Sequence, residues 1–199
     1  MSSDDADAAA ADPGGVVGIV LAAGAGRRFG GPKALATLDG RRLVDRAVAT
    51  LRAGGCADVI AVAGAVPLRD VDAEVATNVN WPRGMASSLQ VGLAAAQAGP
   101  WSTAVLLLVD QPWIGPQAVR RLIAARAAGA RCAQAEYDGV PGHPVLFARE
   151  CWADVGAAAR GDQGARVWLR THPDEVSAVD CAGTGDPRDV DRPQDLLDS

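Results

Sequence analysis

The chain is poor in aromatic side chains, in histidines and in paired cysteines. Aromatic residues make up only 4 % of its 199 residues, so alanine, valine and leucine must supply most of the apolar volume. There are two histidines, and the cysteines are widely spaced, with no C-x-x-C pair, at Cys56, Cys132, Cys151 and Cys181. This pattern gives neither a zinc site nor a disulfide framework, so we expect a protein of the reducing cytoplasm.

An excess of basic residues and a long apolar run are also missing. The net charge of −5 disfavours nucleic acid as a partner, because a polyanion needs a basic face. No apolar stretch is long enough to predict a membrane span. Residues 1–14 are acidic and lack the apolar centre of a secretory signal, so we interpret them as a disordered tail. The remaining residues, 15–199, have the length of a single domain.

What the sequence does contain is an alternation of short apolar runs with segments of helical spacing. This alternation predicts βαβ units, and therefore an α/β fold with a mostly parallel central sheet. The predicted strands span residues 16–21, 57–63, 73–79, 103–109, 130–136, 145–148 and 175–179. The predicted helices span 43–52, 66–73 and 116–127, and two more begin at Ser87 or Ser88 and at Asp162.

A glycine-rich loop follows the first strand, within the stretch VVGIVLAAGAGRRFGGPK at 16–33. Glycines at this density leave the backbone N–H groups open to a bulky anion. The same loop carries three cations, Arg27, Arg28 and Lys33. A triphosphate needs more positive charge than a dinucleotide pyrophosphate, which is usually held by a helix N-terminus alone. The loop therefore predicts a nucleoside triphosphate site.

Two familiar glycine loops do not match this stretch. The P-loop requires serine or threonine after its lysine, whereas Ala34 follows Lys33. The dinucleotide fingerprint G-x-G-x-x-G nearly fits from Gly24 and Gly26, but the third glycine, Gly30, comes one residue late.

Asp110 follows the strongest apolar strand of the chain. Ligands of open α/β sheets lie beyond the carboxyl ends of the strands, so Asp110 and the glycine loop would share an edge if their strands are neighbours. A carboxylate there suits Mg²⁺, which needs only one or two protein oxygens when phosphates and waters complete its shell.

The string L-A-A-G-x-G-x-R-x-G-x-P-K resembles the opening motif of nucleotidyltransferases that activate sugars and cofactors. Its Ala22–Ala23 form is most similar to the molybdenum cofactor cytidylyltransferases, because the guanylyl branch usually has glycine at Ala23. Five further tracts resemble the family in the same order: N-V-N-W-P-R-G-M-A-S-S-L, D-Q-P, G-V-P-G-H-P, G-D-Q-G-A-R and the closing D-V-D-R-P-Q-D-L. Val109 and Arg192 depart from the family's usual glycine and threonine.

This resemblance implies a Rossmann-like three-layer α/β/α sandwich that transfers CMP from CTP to molybdopterin. It implies catalytic roles for Arg28 and Lys33, and Mg²⁺ bound by Asp110 and Asp191. His143 and Arg166 would belong to the acceptor side, and a molybdoenzyme or an accessory chaperone is an expected partner. The implied nucleotide contacts are Leu21, Ala22, Ala23, Gly24, Gly26, Gly84 and Ser88.

Three alternatives stay open at this point. The first is a nucleotidyltransferase with another nucleotide or with a sugar-phosphate acceptor. The second is an NAD(P)-dependent oxidoreductase, supported by the near match to G-x-G-x-x-G. The third is a non-catalytic nucleotide-binding accessory protein, suggested by the altered neighbours of the two aspartates, Val109 and Arg192.

Overall fold

A computed structural model describes residues 14–197 of the protein. Except for Gly14, the predicted tail at 1–14 lies outside the described residues. In chain order the elements are β1 Val16–Leu21, β2 Thr37–Leu38, β3 Arg41–Arg42, α1 Leu43–Ala53, β4 Asp58–Ala63, β5 Glu74–Thr77, α2 Met85–Ala98, β6 Thr103–Leu108, α3 Pro116–Ala127, β7 Cys132–Tyr137, β8 Val140–Ala148, α4 Trp152–Ala158, α5 Arg166–Thr171 and β9 Val176–Asp180.

Seven of the strands form one sheet, in the order β5-β4-β1-β6-β8-β7-β9. All neighbours are parallel except β8, which is antiparallel to β6 and to β7. This confirms the mostly parallel sheet predicted from the sequence. β1 lies between β4 and β6, with Leu21 opposite Val62 on one side and Leu108 on the other. The carboxyl ends of β1 and β6 therefore meet where the chain changes direction across the sheet, the usual ligand position in such folds.

Alternate residues of β1 point into two separate hydrophobic layers, as the period of a strand requires. Val16 and Val20 pack with Leu43, Leu51, Val119 and Leu122, on the face covered by α1 and α3. Val17, Ile19 and Leu21 pack with Leu89, Trp152 and Trp168, on the face covered by α2, α4 and α5. Helices thus cover both faces, which confirms the three-layer α/β/α sandwich.

The helix predicted at 66–73 does not form. Residues 64–73 contain bends but neither helix nor strand, and Asp70 has a φ of 53°. Arginine side chains of the neighbouring elements bind three carbonyl groups of this segment and hold it in its non-helical path. Arg42 donates to the carbonyl oxygens of Arg69 at 2.8 Å and Asp70 at 2.7 Å, and Arg52 donates to that of Asp72 at 3.0 Å. Tertiary hydrogen bonds have overridden local helical spacing here.

Of the element boundaries that differ from the prediction, three have a clear local cause. Helix α2 begins at Met85, before the two serines, because Gly84 adopts a φ of 103° and acts as its N-cap. Strand β8 begins at Val140, since the Asp138–Gly139 turn, with φ values of 52° and 77°, closes a hairpin with β7. Helix α5 begins at Arg166 rather than Asp162, because Gly164 has a φ of 51°. Within residues 14–197, no helix has the length and apolar character to cross a membrane.

Candidate active site

Three segments meet at the carboxyl ends of β1 and β6: the glycine loop, Asp110 and the C-terminal segment. The N–H of Val109 donates to the carbonyl oxygen of Leu21 at 3.2 Å, which continues the pairing of the two strands. The N–H of Val190 donates to the carbonyl oxygen of Asp110 at 2.8 Å. This bond brings Asp191, which lies far away in sequence, beside Asp110.

One ammonium group joins the two aspartates. Lys33 Nζ lies 2.9 Å from Asp110 Oδ2 and 3.3 Å from Asp191 Oδ1. The Lys33 side chain is only 14 % exposed, so water screens these contacts weakly. Arg28 Nη2 lies 3.2 Å from the same Asp191 oxygen, but the Arg28 side chain is 79 % exposed. Exposed ion pairs contribute little, so Lys33 is the cation that organises the cluster.

Gly26 folds the loop back on itself. Its carbonyl oxygen accepts the N–H groups of Gly30 at 2.9 Å and Gly31 at 3.2 Å. Its φ is 60°, and a Cβ there would lie 1.9 Å from the Gly31 carbonyl oxygen. Gly24 is different, because a Cβ at that position would meet no atom of the described part of the chain within 4 Å, and the residue lines the cleft. Gly26 shapes the loop, whereas Gly24 keeps space open for a ligand.

A cavity of about 340 Å³ lies between the glycine loop, Asp110 and the start of α2. Eight of the predicted site residues border it: Leu21, Ala23, Gly24, Gly26, Lys33, Gly84, Ser88 and Asp110. Arg28 and Asp191 do not line it. Asp191 contacts Lys33 of the cavity wall, and Arg28 contacts Asp191. Ala22 lies in the core at 2 % exposure, and its N–H donates to the Val62 carbonyl oxygen at 3.1 Å. Neither its side chain nor its N–H is open to a ligand.

The N-terminus of α2 opens into this cavity. Gly84, Met85 and Ser88 line it, and no side chain within residues 14–197 caps the helix. The N–H groups of a first helical turn carry partial positive charge, which suits an anionic or carbonyl-bearing ligand. Asn78 orients both serines, since its Nδ2 donates to Ser87 Oγ at 2.9 Å and to Ser88 Oγ at 3.0 Å.

The cavity wall also contains residues outside the predicted set: Arg27, Trp81, Met85 and Asp162. Arg27 and Trp81 stand within the recognised motifs, so their residue type and position could have nominated them. Asp162 also stands within a recognised tract, G-D-Q-G-A-R, but nothing in that tract shows that packing of its loop on Gly84 brings it to the cavity. A Cβ at Gly84 would lie 2.6 Å from Asp162 Oδ1 and from the Gly161 carbonyl oxygen.

A second cavity of about 570 Å³ adjoins the first and shares Leu21, Met85, Leu108 and Asp162 with it. His143 and Arg166, the two residues that the resemblance assigns to the acceptor side, both line this second cavity. Burial, aided by the Arg166 charge, lowers the pKa of His143 to about 4, although Asp110 opposes the shift. The imidazole is therefore neutral at physiological pH.

The two departures from the family motifs do not obstruct the aspartates. Val109 is only 8 % exposed and packs in the hydrophobic layer beneath α1 and α3. Arg192 is exposed, and its backbone N–H donates to Asp195 Oδ2 at 2.7 Å. The Arg192 and Asp191 N–H groups lower the pKa of Asp195.

The donor set fits a hard divalent cation that is shared with a ligand. Asp110 supplies carboxylate oxygens in the cavity wall and Asp191 supplies them beside its edge, and carboxylates are the ligand type that Mg²⁺ and Mn²⁺ accept. Among residues 14–197, no group of three or more histidine, cysteine, aspartate or glutamate side chains is arranged to hold a metal. Two carboxylates suit a metal ion whose remaining ligands are phosphate oxygens and waters.

A parallel sheet with a cationic glycine loop and an aspartate at its switch point defines the class of Rossmann-like nucleotidyltransferases. The chain belongs to the family of proteins with a MobA-like NTP transferase domain, whose family model matches residues 18–176. It is thus a nucleotidyltransferase-family enzyme.

Curated and solved relatives agree with this family. Nicotine blue oxidoreductase of Paenarthrobacter nicotinovorans is 36 % identical over 88 % of this chain and 92 % of its own. A bifunctional IPC transferase and DIPP synthase of Rubrobacter xylanophilus is 32 % identical over 92 % of this chain and 50 % of its own. The crystal structure of Rv0371c from Mycobacterium tuberculosis is 29 % identical, with a TM-score of 0.77, over 93 % of this chain and 98 % of that one. Rv0371c has also been solved in complex with manganese, at 27 % identity, a TM-score of 0.72 and the same coverage of 93 % and 98 %.

The two loop glycines give a matched pair of substitutions. We expect Gly26→Ala to lower the melting temperature by about 3–10 °C, because a side chain at positive φ is strained and collides with Gly31. Gly24→Ala should leave the melting temperature within about 1 °C of wild type and weaken nucleotide binding, since its Cβ enters only the cleft. Thermal unfolding with and without CTP and Mg²⁺ measures both effects. Equal melting temperatures for the two variants would contradict the assignment of roles.

Proposed function

We propose that this protein transfers CMP from CTP to molybdopterin, releases pyrophosphate and uses Mg²⁺. The observation that carries the proposal is the cluster in which Lys33 Nζ contacts Asp110 at 2.9 Å and Asp191 at 3.3 Å beside the glycine loop. A cation and two carboxylates beside a glycine loop and the N-terminus of a helix suit a metal-bound triphosphate. The manganese complex of the related Rv0371c supports a divalent metal here.

The reaction needs positioning and charge neutralisation more than proton transfer. A terminal phosphate oxygen of the acceptor attacks the α-phosphorus of CTP, a new P–O bond forms, and the bond to the β-phosphate oxygen breaks. A phosphate oxygen is already a nucleophile, so no general base is required. Lys33 and, more weakly, the exposed Arg28 stabilise charge that gathers on the departing pyrophosphate. Asp110 and Asp191 would hold Mg²⁺, which supplies Lewis-acid neutralisation of the phosphates when bound.

The two adjoining cavities support a reaction with two substrates. The nucleotide occupies the smaller one, against the glycine loop and the N-terminus of α2, and the acceptor occupies the one lined by His143 and Arg166. The shared wall at Leu21 and Leu108 brings the two substrates together near Asp110. Cytidine is favoured over guanosine because Ala23, the mark of the cytidylyl branch, borders the nucleotide cavity at 4 % exposure.

An NAD(P)-dependent oxidoreductase is the second candidate, favoured by the name of the Paenarthrobacter relative, which is 36 % identical. The local structure argues against dinucleotide binding of the usual kind. That mode needs an α-helix directly after the glycine loop, with its N-terminus on the pyrophosphate. Here the loop runs into a single 3₁₀ turn at Lys33–Leu35, and α1 begins only at Leu43.

The test is incubation with CTP, GTP or ATP, each with Mg²⁺ and molybdopterin, while pyrophosphate is measured. We expect pyrophosphate release to depend on both Mg²⁺ and molybdopterin and to be fastest with CTP. Release with another nucleotide or only with a sugar phosphate would replace the substrate assignment. A thermal shift with NADPH and none with CTP–Mg²⁺ would favour the oxidoreductase instead.

A further inference from the structure

The last part of the described chain, residues 186–197, crosses the end of β6 and carries Asp191. We call these residues the C-terminal strap. One anchor is the bond from the Val190 N–H to the Asp110 carbonyl oxygen, at 2.8 Å. Another is Gln111, whose Nε2 donates to the Pro187 carbonyl oxygen at 3.0 Å and to Asp189 Oδ1 at 2.9 Å. Both anchors lie before Asp191 in the chain.

Beyond Asp191, the strap is held by a carboxylate. Asp195 Oδ2 accepts the backbone N–H of Asp191 at 2.8 Å and that of Arg192 at 2.7 Å. The Asp195 N–H in turn donates to the Arg192 carbonyl oxygen at 3.0 Å, which closes a tight turn. One oxygen atom of one side chain therefore fixes the backbone of the residue that reaches Lys33.

We propose that Asp195 is a positioning residue for the metal-binding carboxylate of Asp191. This inference rests on the proposed function, because it assumes that Asp191 binds the metal. Asp191 is 41 % exposed and lies outside every helix and strand, so packing alone does not fix it. Without Asp195 the turn regains backbone freedom, and that conformational entropy must be lost again when the metal binds. Residues that orient metal ligands typically change metal affinity by about 10–100-fold when they are removed.

The substitutions follow from the hydrogen bonds. Asp195→Ala removes the accepting oxygen, whereas Asp195→Asn keeps a carbonyl oxygen that can accept both N–H groups. Gln194→Ala is the matched control, because Gln194 is an exposed neighbour in the same 3₁₀ turn, Pro193–Leu196. Electron paramagnetic resonance of free Mn²⁺ with protein and CTP, compared with the same amount of CTP without protein, measures metal binding by the protein without requiring turnover.

We expect Asp195→Ala to weaken Mn²⁺ binding by about 10–100-fold, with Asp195→Asn and Gln194→Ala within about threefold of wild type. In the turnover assay, Asp195→Ala should raise the Mg²⁺ concentration needed for half-maximal rate and recover most of kcat at saturating Mg²⁺. If Asp195 only stabilises the fold, Asp195→Ala would lower the melting temperature without raising the Mg²⁺ concentration needed for half-maximal rate.

Two outcomes overturn the inference, and they are distinguishable. If wild-type protein binds Mn²⁺ with CTP and Asp195→Ala binds it equally well, Asp195 does not position the ligand and the proposed function survives. If wild-type protein binds no Mn²⁺ with CTP, the proposed function fails, and the role of Asp195 fails with it.

Discussion

Lys33→Ala is expected to slow pyrophosphate release by about 10²–10⁴-fold, the usual effect of removing one charge contact to a transition state. Lys33 is the least exposed cation of the cluster, at 14 %, and lies within 3.3 Å of both aspartates. Its loss removes the charge that faces the departing pyrophosphate and leaves two carboxylates facing each other. Steady-state kinetics with saturating CTP and Mg²⁺ measures the change.

Arg28→Ala is the matched control for this variant. Arg28 belongs to the same loop and contacts the same Asp191 oxygen at 3.2 Å, but it is 79 % exposed. Water and salt screen such a charge, so we expect a loss of about tenfold or less. Equal losses for the two variants would show that burial does not decide their contributions, and near-normal turnover of Lys33→Ala would refute its catalytic role.

Asp110→Ala is expected to cost a similar factor of about 10²–10⁴ in rate, because it removes a carboxylate from the metal site. Unlike the loss of Asp195, this loss should not be recovered at high Mg²⁺, since a ligand itself is missing. The rate of pyrophosphate release over a series of Mg²⁺ concentrations distinguishes the two cases.

Asp189→Asn provides the comparison for a charge effect alone. Burial raises the pKa of Asp189, and the nearby negative charge of Asp110 raises it further. Asparagine there keeps an oxygen for Gln111 and removes one negative charge. We expect a rate within about threefold of wild type. A loss as large as that of Asp110→Ala would mean that the negative field near the site, rather than ligation by Asp110, controls the rate.

The sequence was sufficient for those parts of the site that local patterns encode. The buried strand at 16–21, the glycine-rich loop after it and the strand that delivers Asp110 each have a signature within a few residues. The shared edge of Lys33 and Asp110 was predicted only on the condition that β1 and β6 are neighbours. The structure shows that they are, and the two side chains lie 2.9 Å apart.

Contacts between distant segments could not be predicted in this way. Asp191 was nominated only by family resemblance, because its position depends on the bond between Val190 and Asp110. Residues 66–73 were misassigned as a helix because nothing local reveals that Arg42 and Arg52 bind their carbonyl groups. The hairpin at Asp138–Gly139 is a different case, since aspartate followed by glycine is a recognised turn signal and was available in the sequence.

Calorimetric titration of CTP into wild-type protein and into Asp110→Ala, each with and without Mg²⁺, tests the central claim most directly. If the glycine loop, Lys33 and the two aspartates hold a metal-bound triphosphate, wild type binds CTP with one site and binds it more tightly with Mg²⁺. The Asp110→Ala variant then loses the Mg²⁺-dependent part of the affinity. Binding of CTP that is indifferent to both Mg²⁺ and Asp110, or no binding at all, would contradict it.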